Sequence, residues 1–169
     1  MSESEHKFKW CLEKAKKELE KGEKHRGLIE IKPDKEKAKQ HIIKAEHYLE
    51  ASIYLKEGNF SDISASTLFY SAYHCMLAIA AKFGYESRNQ DCTFALINAL
   101  IEDKKINLEG ELIDKVAIIS QFQGEEKTAL EIREQYQYGT ELSLKESLYE
   151  DMLNLIKIIL EKSKEIIED

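Results

Sequence analysis

The sequence predicts an all-α protein: an up-and-down antiparallel bundle of four to five helices, with an extra helix at the N-terminus. Composition favours helices, because Pro33 is the only proline, glycines number seven in 169 residues, and Ala, Leu, Ile, Glu and Lys dominate. In several segments apolar residues recur every three or four positions, as on one face of a helix. The connections between these segments are short, which favours antiparallel neighbours.

The first predicted helix runs from about residue 5 to residue 21. Its apolar residues share one face opposite lysines, which predicts a stripe that docks on another surface. The members of this stripe are Phe8, Leu12, Ala15 and Leu19. Residues 22–34 contain two glycines and Pro33, so we interpret them as a linker or an extended arm. The predicted domains are therefore residues 1–33, an amphipathic helix with its linker, and residues 34–169, the bundle.

The second predicted helix begins after Asp34, a plausible N-cap, and ends at Gly58-Asn59. Ser61 or Asp62 is expected to cap the third helix, which runs to about residue 83. The third helix is apolar or aromatic on nearly every side, which predicts a position in the middle of the bundle. The apolar face of the second helix consists of Ala38, Ile42, Ala45, Leu49 and Ile53.

Shorter helices are expected over residues 94–101 and around residues 112–119. Helix-favouring residues resume over 125–138 and end at Gly139, which suits a helix C-terminus. The last helix has a capping box, Ser143 with Glu146 three residues later. Its predicted apolar stripe is Leu144, Leu148, Met152, Leu155 and Ile159.

The net charge of −7 is unevenly distributed. Residues 1–27 carry eight basic against six acidic side chains, and the remainder carries 17 against 26. The predicted bundle therefore lacks the basic field that nucleic-acid binding uses, and no DNA partner is expected. The N-terminal helix is only mildly basic.

The remaining composition excludes several kinds of protein. No apolar run approaches the roughly 20 residues of a membrane helix, which predicts a soluble protein with no membrane partner. Three cysteines, without metal-type spacing or a secretory apolar core before them, indicate a reducing cytoplasm. Cys75 reads as a small buried hydrophobe, and Cys92 as a thiol near a helix start.

Cofactor and metal signatures are missing. The chain contains no Walker-type loop, no dinucleotide fingerprint and no Gly-x-Ser-x-Gly elbow, so no cofactor is expected. Helical bundles hold metals with inward-facing Glu-x-x-His pairs. The sequence contains one such pair, Glu3 with His6 near the N-terminus. We expect no metal site.

Three segments resemble HEPN-domain proteins. The text SDISASTLFYSAYHCMLAIAAKFG, residues 61–84, looks like the family's second helix. KAEHYLEASIYLKEGNF resembles its first helix, and REQYQYG, residues 133–139, its Arg-containing segment before the final helix. The resemblance covers roughly residues 34–165. It implies a four- or five-helix bundle, usually a homodimer, often encoded beside a nucleotidyltransferase, with members acting as RNases, toxins or nucleotide-binding modules.

In RNase members of that family, four to six residues separate the Arg from a following His. Here those positions after Arg133 are Tyr138, Gly139 and Thr140. A tyrosine with a pKa near 10 is a poor proton shuttle at neutral pH, although His74 is a candidate substitute. We therefore expect a non-catalytic HEPN-like module that binds a partner protein or a nucleotide-containing ligand. The alternatives are a metal-independent RNase toxin using Arg133 with Tyr138 or His74, and a structural assembly subunit.

Two groups of residues are candidates for ligand binding. Arg133, Tyr136 and Tyr138 can grip phosphate and stack on bases, but the favoured alternative is an interhelical salt bridge with core aromatics, because Glu131 and Glu134 are nearby in sequence. Tyr70, Tyr73 and His74 crowd an apolar helix, where each polar tip needs a partner or an opening to water. For each group, the sequence leaves open both ligand binding and a purely structural role.

Overall fold

A computed structural model of the chain describes residues 1–121 and 146–169. Within these residues the chain is all-α apart from one small two-stranded ribbon, which confirms the predicted class and the extra N-terminal helix. The elements are α1 Glu3–Glu20, β1 Leu28–Glu30, α2 Lys35–Glu57, α3 Ser61–Lys82, β2 Tyr85–Ser87, α4 Gln90–Glu102, α5 Gly110–Gln121 and α6 Glu146–Glu168.

The helices α2, α3 and α6 pack together, and we call them the helical core. Small residues along α3 let α2 approach closely, and the Ser71 hydroxyl donates a 2.7 Å hydrogen bond to the Ala45 carbonyl across that contact. On α6 the predicted stripe is partly confirmed, because Met152 and Ile159 are buried beside Ile156. Burial of large aliphatic side chains is the main stabilising contribution in such a bundle.

A second group of elements, α1, β1, β2 and α4, lies beside this core, and we call it the cross-linked flank. The strands β1 and β2 pair antiparallel, with Leu28 opposite Ser87. A disulfide joins Cys11 of α1 to Cys92 of α4, with 5.8 Å between the two Cα atoms. The sequence-based expectation of a reducing compartment has to be set against this cross-link, which joins two of the three cysteines. Cys75 is a buried free thiol.

The N-terminal stripe packs within its own chain. Ala15 is fully buried, Leu12 packs against the core, and the Phe8 ring meets Tyr85 edge-on at 5.6 Å between centroids. Only Leu19 of the predicted stripe is largely exposed, at 49%. In this conformation the stripe is therefore not free to dock on a neighbouring molecule. The segment that we interpret as a linker carries β1.

The helix caps bear out one prediction and correct another. Asp34 is the N-cap of α2, where its carboxylate accepts a 2.9 Å hydrogen bond from the Lys37 amide. The expectation that Ser61 or Asp62 caps α3 is wrong, because Phe60 holds the N-cap position and Ser61 already begins the helix. Backbone bonds make the preceding turn, in which Phe60 N–H donates to Leu55 O at 2.7 Å. Ser143, Leu144 and the helix expected over 125–138 lie outside the described residues.

The expectation that no apolar segment approaches the length of a membrane helix is wrong for α3, which is long and apolar enough to cross a membrane by length and composition. Its most apolar window is 61% buried inside the protein, however, as is ordinary for the central helix of a soluble bundle. The structure is thus consistent with the predicted soluble protein.

Candidate ligand-binding face

Four rings from α2 and α3 form a ladder on one face of the helical core. Tyr70 lies 5.6 Å from Tyr48, Tyr48 lies 5.5 Å from His74, and His74 lies 5.3 Å from His41, measured between ring centroids. Neighbouring ring planes are inclined by 32°, 18° and 31°, so Tyr48 and His74 are stacked and the two outer pairs are tilted. Tyr70 is 43% exposed, which opens the ladder to solvent at that end. We call these residues the ring ladder.

The two histidines of the ladder share a hydrogen bond. Their Nδ1 atoms are 3.0 Å apart, so one ring donates its proton and the other accepts it. Burial, His41 and Lys44 together lower the pKa of His74 to about 4, burial being the largest cause. Burial and then Lys37 lower the pKa of His41. At neutral pH both rings are therefore uncharged, which leaves the flanking lysines as the positive groups on this face.

A cavity of about 250 Å³ adjoins the His41 end of the ladder. The floor is apolar and comes from α3, whereas β2 and the residue after it supply the polar wall. The lining residues are Lys37, His41, Leu77, Ala80, Ala81, Tyr85, Glu86, Ser87 and Arg88. Pockets that enclose a drug-sized ligand hold roughly 300–1,000 Å³, so this cavity suits a phosphate-sized group rather than a whole nucleotide.

Glu86 organises the charges of the cavity. Its carboxylate is 2.9 Å from His25 Nε2, 3.0 Å from Arg88 Nε and 3.8 Å from Lys37 Nζ. The hydrogen bond from His25, followed by the charges of Arg88 and Lys37, holds the pKa of Glu86 below its usual range. The Glu86 carboxylate offsets only one of the two positive charges of Lys37 and Arg88. The cavity lining therefore keeps an excess positive charge within a protein of net charge −7.

The structure separates the predicted α3 site residues. Tyr70 and His74 both belong to the ring ladder. Tyr73 turns toward α4 instead, where its hydroxyl lies 3.1 Å from Thr93 Oγ1, and burial raises its pKa. Tyr73 is thus a half-buried side chain with a hydrogen-bond partner. Arg133, Tyr136 and Tyr138 lie outside the described residues.

Sequence reasoning missed most of this face. His41 and Tyr48 are seven residues apart on α2, a spacing that places two side chains on one helix face. Glu86 and Arg88 are two apart around β2, the spacing of side chains on one side of a strand. Both signals are present in the sequence. They gain meaning only when α2, α3 and β2 are known to be neighbours.

Within residues 1–121 and 146–169 no group of three or more His, Cys, Asp and Glu side chains is arranged to hold a metal. Comparison of the chain with models of protein families and with curated proteins finds no match.

Proposed function

We propose that this protein is a HEPN-like module that binds a nucleotide-containing ligand across the cavity and the ring ladder without transforming it. The observation that carries the proposal is that the two features share one residue. His41 lines the cavity and ends the ladder, so a phosphate in the cavity leaves the rest of the ligand beside stacked rings.

The phosphate would be held by Lys37 and Arg88, since the Ser87 hydroxyl already donates a 3.0 Å hydrogen bond to the Asn89 carbonyl. A guanidinium can grip phosphate oxygens bidentately, while a lysine acts as a point charge. Glu86 already touches both cations, so the bound anion would share them with this carboxylate. The site therefore favours a single phosphate or diphosphate group over a long polyanion.

The base would stack on the outer part of the ladder. Tyr70 is the exposed ring there and Tyr48 is its neighbour within the protein. Stacking of a base on an aromatic side chain contributes about 1–3 kcal/mol and tolerates any base. We therefore expect nucleotides with different bases to bind with similar affinity. Ligands with a phosphate should bind more tightly than those without one.

The test compares AMP, adenosine and inorganic pyrophosphate by isothermal titration calorimetry. Lys37→Gln with Arg88→Gln should weaken AMP and pyrophosphate by about tenfold or more, since charged hydrogen bonds contribute roughly 1.5–3 kcal/mol each. Tyr48→Leu should weaken AMP while sparing pyrophosphate. Lys39→Gln is the matched control, because Lys39 lies on α2 outside the cavity and pairs with Glu36. Wild-type protein that binds none of the three ligands would overturn the proposal.

The second candidate function is a metal-independent RNase, favoured by one observation. His74 has a second imidazole, His41, within hydrogen-bond distance, and acid–base cleavage of RNA uses such groups. With a pKa of about 4, His74 would be a base and scarcely an acid at neutral pH. Cleavage of labelled total RNA without metal, abolished by His74→Ala, His41→Ala or Arg133→Ala, would establish this function. Inert wild-type protein would exclude it.

The proposal extends to assembly and location. We propose a homodimer through the turn between α2 and α3, where Tyr54, Phe60 and Ile63 are exposed by 77%, 55% and 47%. A nucleotidyltransferase-type protein is the alternative occupant of that surface, as in a toxin–antitoxin system. Phe60→Ser should give a monomer by light scattering if the dimer forms there. The proposed location is the cytoplasm, and the Cys11–Cys92 disulfide weighs against it, since such bonds are uncommon in reducing compartments outside hyperthermophiles.

A further inference from the structure

The polar wall of the cavity is held from outside the helical core. The ring of Phe8 in α1 packs edge-on against Tyr85. His25, which is only 3% exposed, forms a hydrogen bond with Glu86. The amide of Arg88 donates a 2.9 Å hydrogen bond to the carbonyl of Gly27. Thus α1 and the segment that follows it support three of the wall residues.

The same segment packs directly against the backbone of α1 at Cys11, one of the two half-cystines. A Cβ added to Gly27 would lie 2.6 Å from the backbone oxygen of Cys11, so only glycine fits this approach. At the other end of the cross-link, Thr93 follows Cys92 and donates a 2.8 Å hydrogen bond to the hydroxyl of Ser87, the fourth wall residue. Both half-cystines therefore adjoin groups that position the wall.

Apart from the disulfide, α1 is anchored by the buried Ala15 and by the partly buried Phe8 and Leu12. Among its 18 residues only Cys11 and Ala15 are buried, and Cys11 is itself a member of the cross-link. Segments with few buried apolar contacts open at low free energy, independently of the rest of the molecule. Cleavage of the S–S bond would thus loosen α1 and β1 while α2, α3 and α6 stay packed.

We propose that Cys11 and Cys92 form a reversible thiol–disulfide site whose oxidation state sets the affinity of the cavity for an anion. Oxidation transfers two electrons and two protons from the thiols to a small disulfide such as oxidised glutathione, which leaves as two thiols. A dithiol reverses the reaction through a mixed disulfide and is itself oxidised to a cyclic disulfide. The ligand half of this inference rests on the proposed function, whereas the redox half does not.

The first measurement is a count of free thiols in the denatured full-length chain after treatment with oxidised glutathione. One free thiol, Cys75, is expected. Three free thiols would overturn the proposal, because the cross-link would then not form. Both sulfurs are fully buried, so reduction by dithiothreitol should be slow and should require opening of α1.

The second measurement is hydrogen exchange in the oxidised and reduced protein. The Arg88 amide should exchange at least about tenfold faster after reduction, while amides in α2 and α3 keep their rates. Cys11→Ser/Cys92→Ser should behave as reduced protein under both conditions. Cys75→Ala, which leaves the pair intact, should respond as wild type does. Equal protection of Arg88 in both states, or uniform loosening of all helices, would overturn the proposal.

The third measurement is binding of inorganic pyrophosphate to the two forms. Reduction should weaken binding by about tenfold, within the range of ordinary coupling between sites. If Arg88 responds and pyrophosphate binds equally in both states, the control of affinity is overturned. If pyrophosphate binds to neither form while Arg88 still responds, the redox site stands and the proposed ligand function fails.

Discussion

The helical core and the cross-linked flank are stabilised by different means. The core buries aliphatic side chains along whole helices, such as Ile156 and Ile159 of α6, whereas α1 buries only Cys11 and Ala15. Within the flank, α4 also buries aliphatic side chains, among them Leu96 and Ile97. The α1 helix and the strand ribbon rely instead on a covalent bond, on the pairing of two three-residue strands and on the His25–Glu86 contact. Stability and the proposed site are thus divided: the core supplies the ring ladder and cavity floor, and the flank holds the polar wall.

The largest expected effect breaks the core. Ile156→Ala removes a fully buried side chain and should lower the free energy of unfolding by about 4 kcal/mol, because the cavity is lined by neighbours that relax only partly. Ile158→Ala is the matched control on the same helix, since Ile158 is 47% exposed, and should change stability by no more than about 0.5 kcal/mol. Urea unfolding measures both. Equal losses would mean that α6 packs through a different face.

The next largest effect breaks the flank. The cross-link joins residues 81 apart in sequence, and its loss in Cys11→Ser/Cys92→Ser should lower the free energy of unfolding by about 3 kcal/mol. The physical reason is that the unfolded chain has more conformational entropy once the cross-link no longer closes the loop. Wild-type protein unfolded in dithiothreitol should match the variant. A variant as stable as oxidised wild type would contradict this account of the flank.

This contrast explains what the sequence could predict. The core consists of long helices, and each is encoded by its own neighbours: the apolar period of residues 38–53 and the Asp34 cap are visible without knowing any partner. The flank depends on pairs that are remote in sequence. The pairing of Leu28 with Ser87 has no local signature, because strands of three residues are too short to show an alternating pattern. The disulfide has none either, because Cys11 and Cys92 are 81 residues apart in sequence.

The candidate site follows the same division. Tyr70 and His74 could be singled out because polar tips on an apolar helix need partners. Lys37 and Arg88 could not be singled out, because charged residues on helices and loops are usually solvated. The cavity brings them together only through the approach of β2 to α2.

A smaller effect concerns His74, the histidine that stacks on Tyr48 in the ring ladder. The pKa of His74 is lowered to about 4 in the fold, below its ordinary 6.5, so the unfolded chain takes up a proton first on acidification. The free energy of unfolding should therefore fall between pH 7 and pH 5, by about 1 kcal/mol once the half-buried ring is discounted for solvent screening. His74→Gln should flatten this slope, and Lys44→Gln should flatten it by less. An unchanged slope in His74→Gln would show that the fold admits the proton without cost.

The smallest expected effect compares one helix cap from each region. Asp34 caps α2 of the core, and Asn89 caps α4 of the flank, where its side chain accepts a 3.0 Å hydrogen bond from the Cys92 amide. Each change to Ala should cost about 1 kcal/mol alone. Asn89 and the disulfide both fix the first turn of α4, so their effects should not be additive, and a double-mutant cycle with Cys11→Ser/Cys92→Ser should show a coupling of at least about 0.5 kcal/mol.

The same cycle with Asp34→Ala should show additivity to within about 0.3–0.5 kcal/mol, since Asp34 shares no partner with either cysteine. Urea unfolding of the six proteins gives both coupling energies. If Asp34 couples to the cysteines as strongly as Asn89 does, the cross-link acts on the whole molecule, and the division into core and flank is wrong. If only Asn89 couples, the covalent bond acts through the first turn of α4, which begins two residues after Arg88. Arg88 is the end of the wall that the proposed ligand would touch.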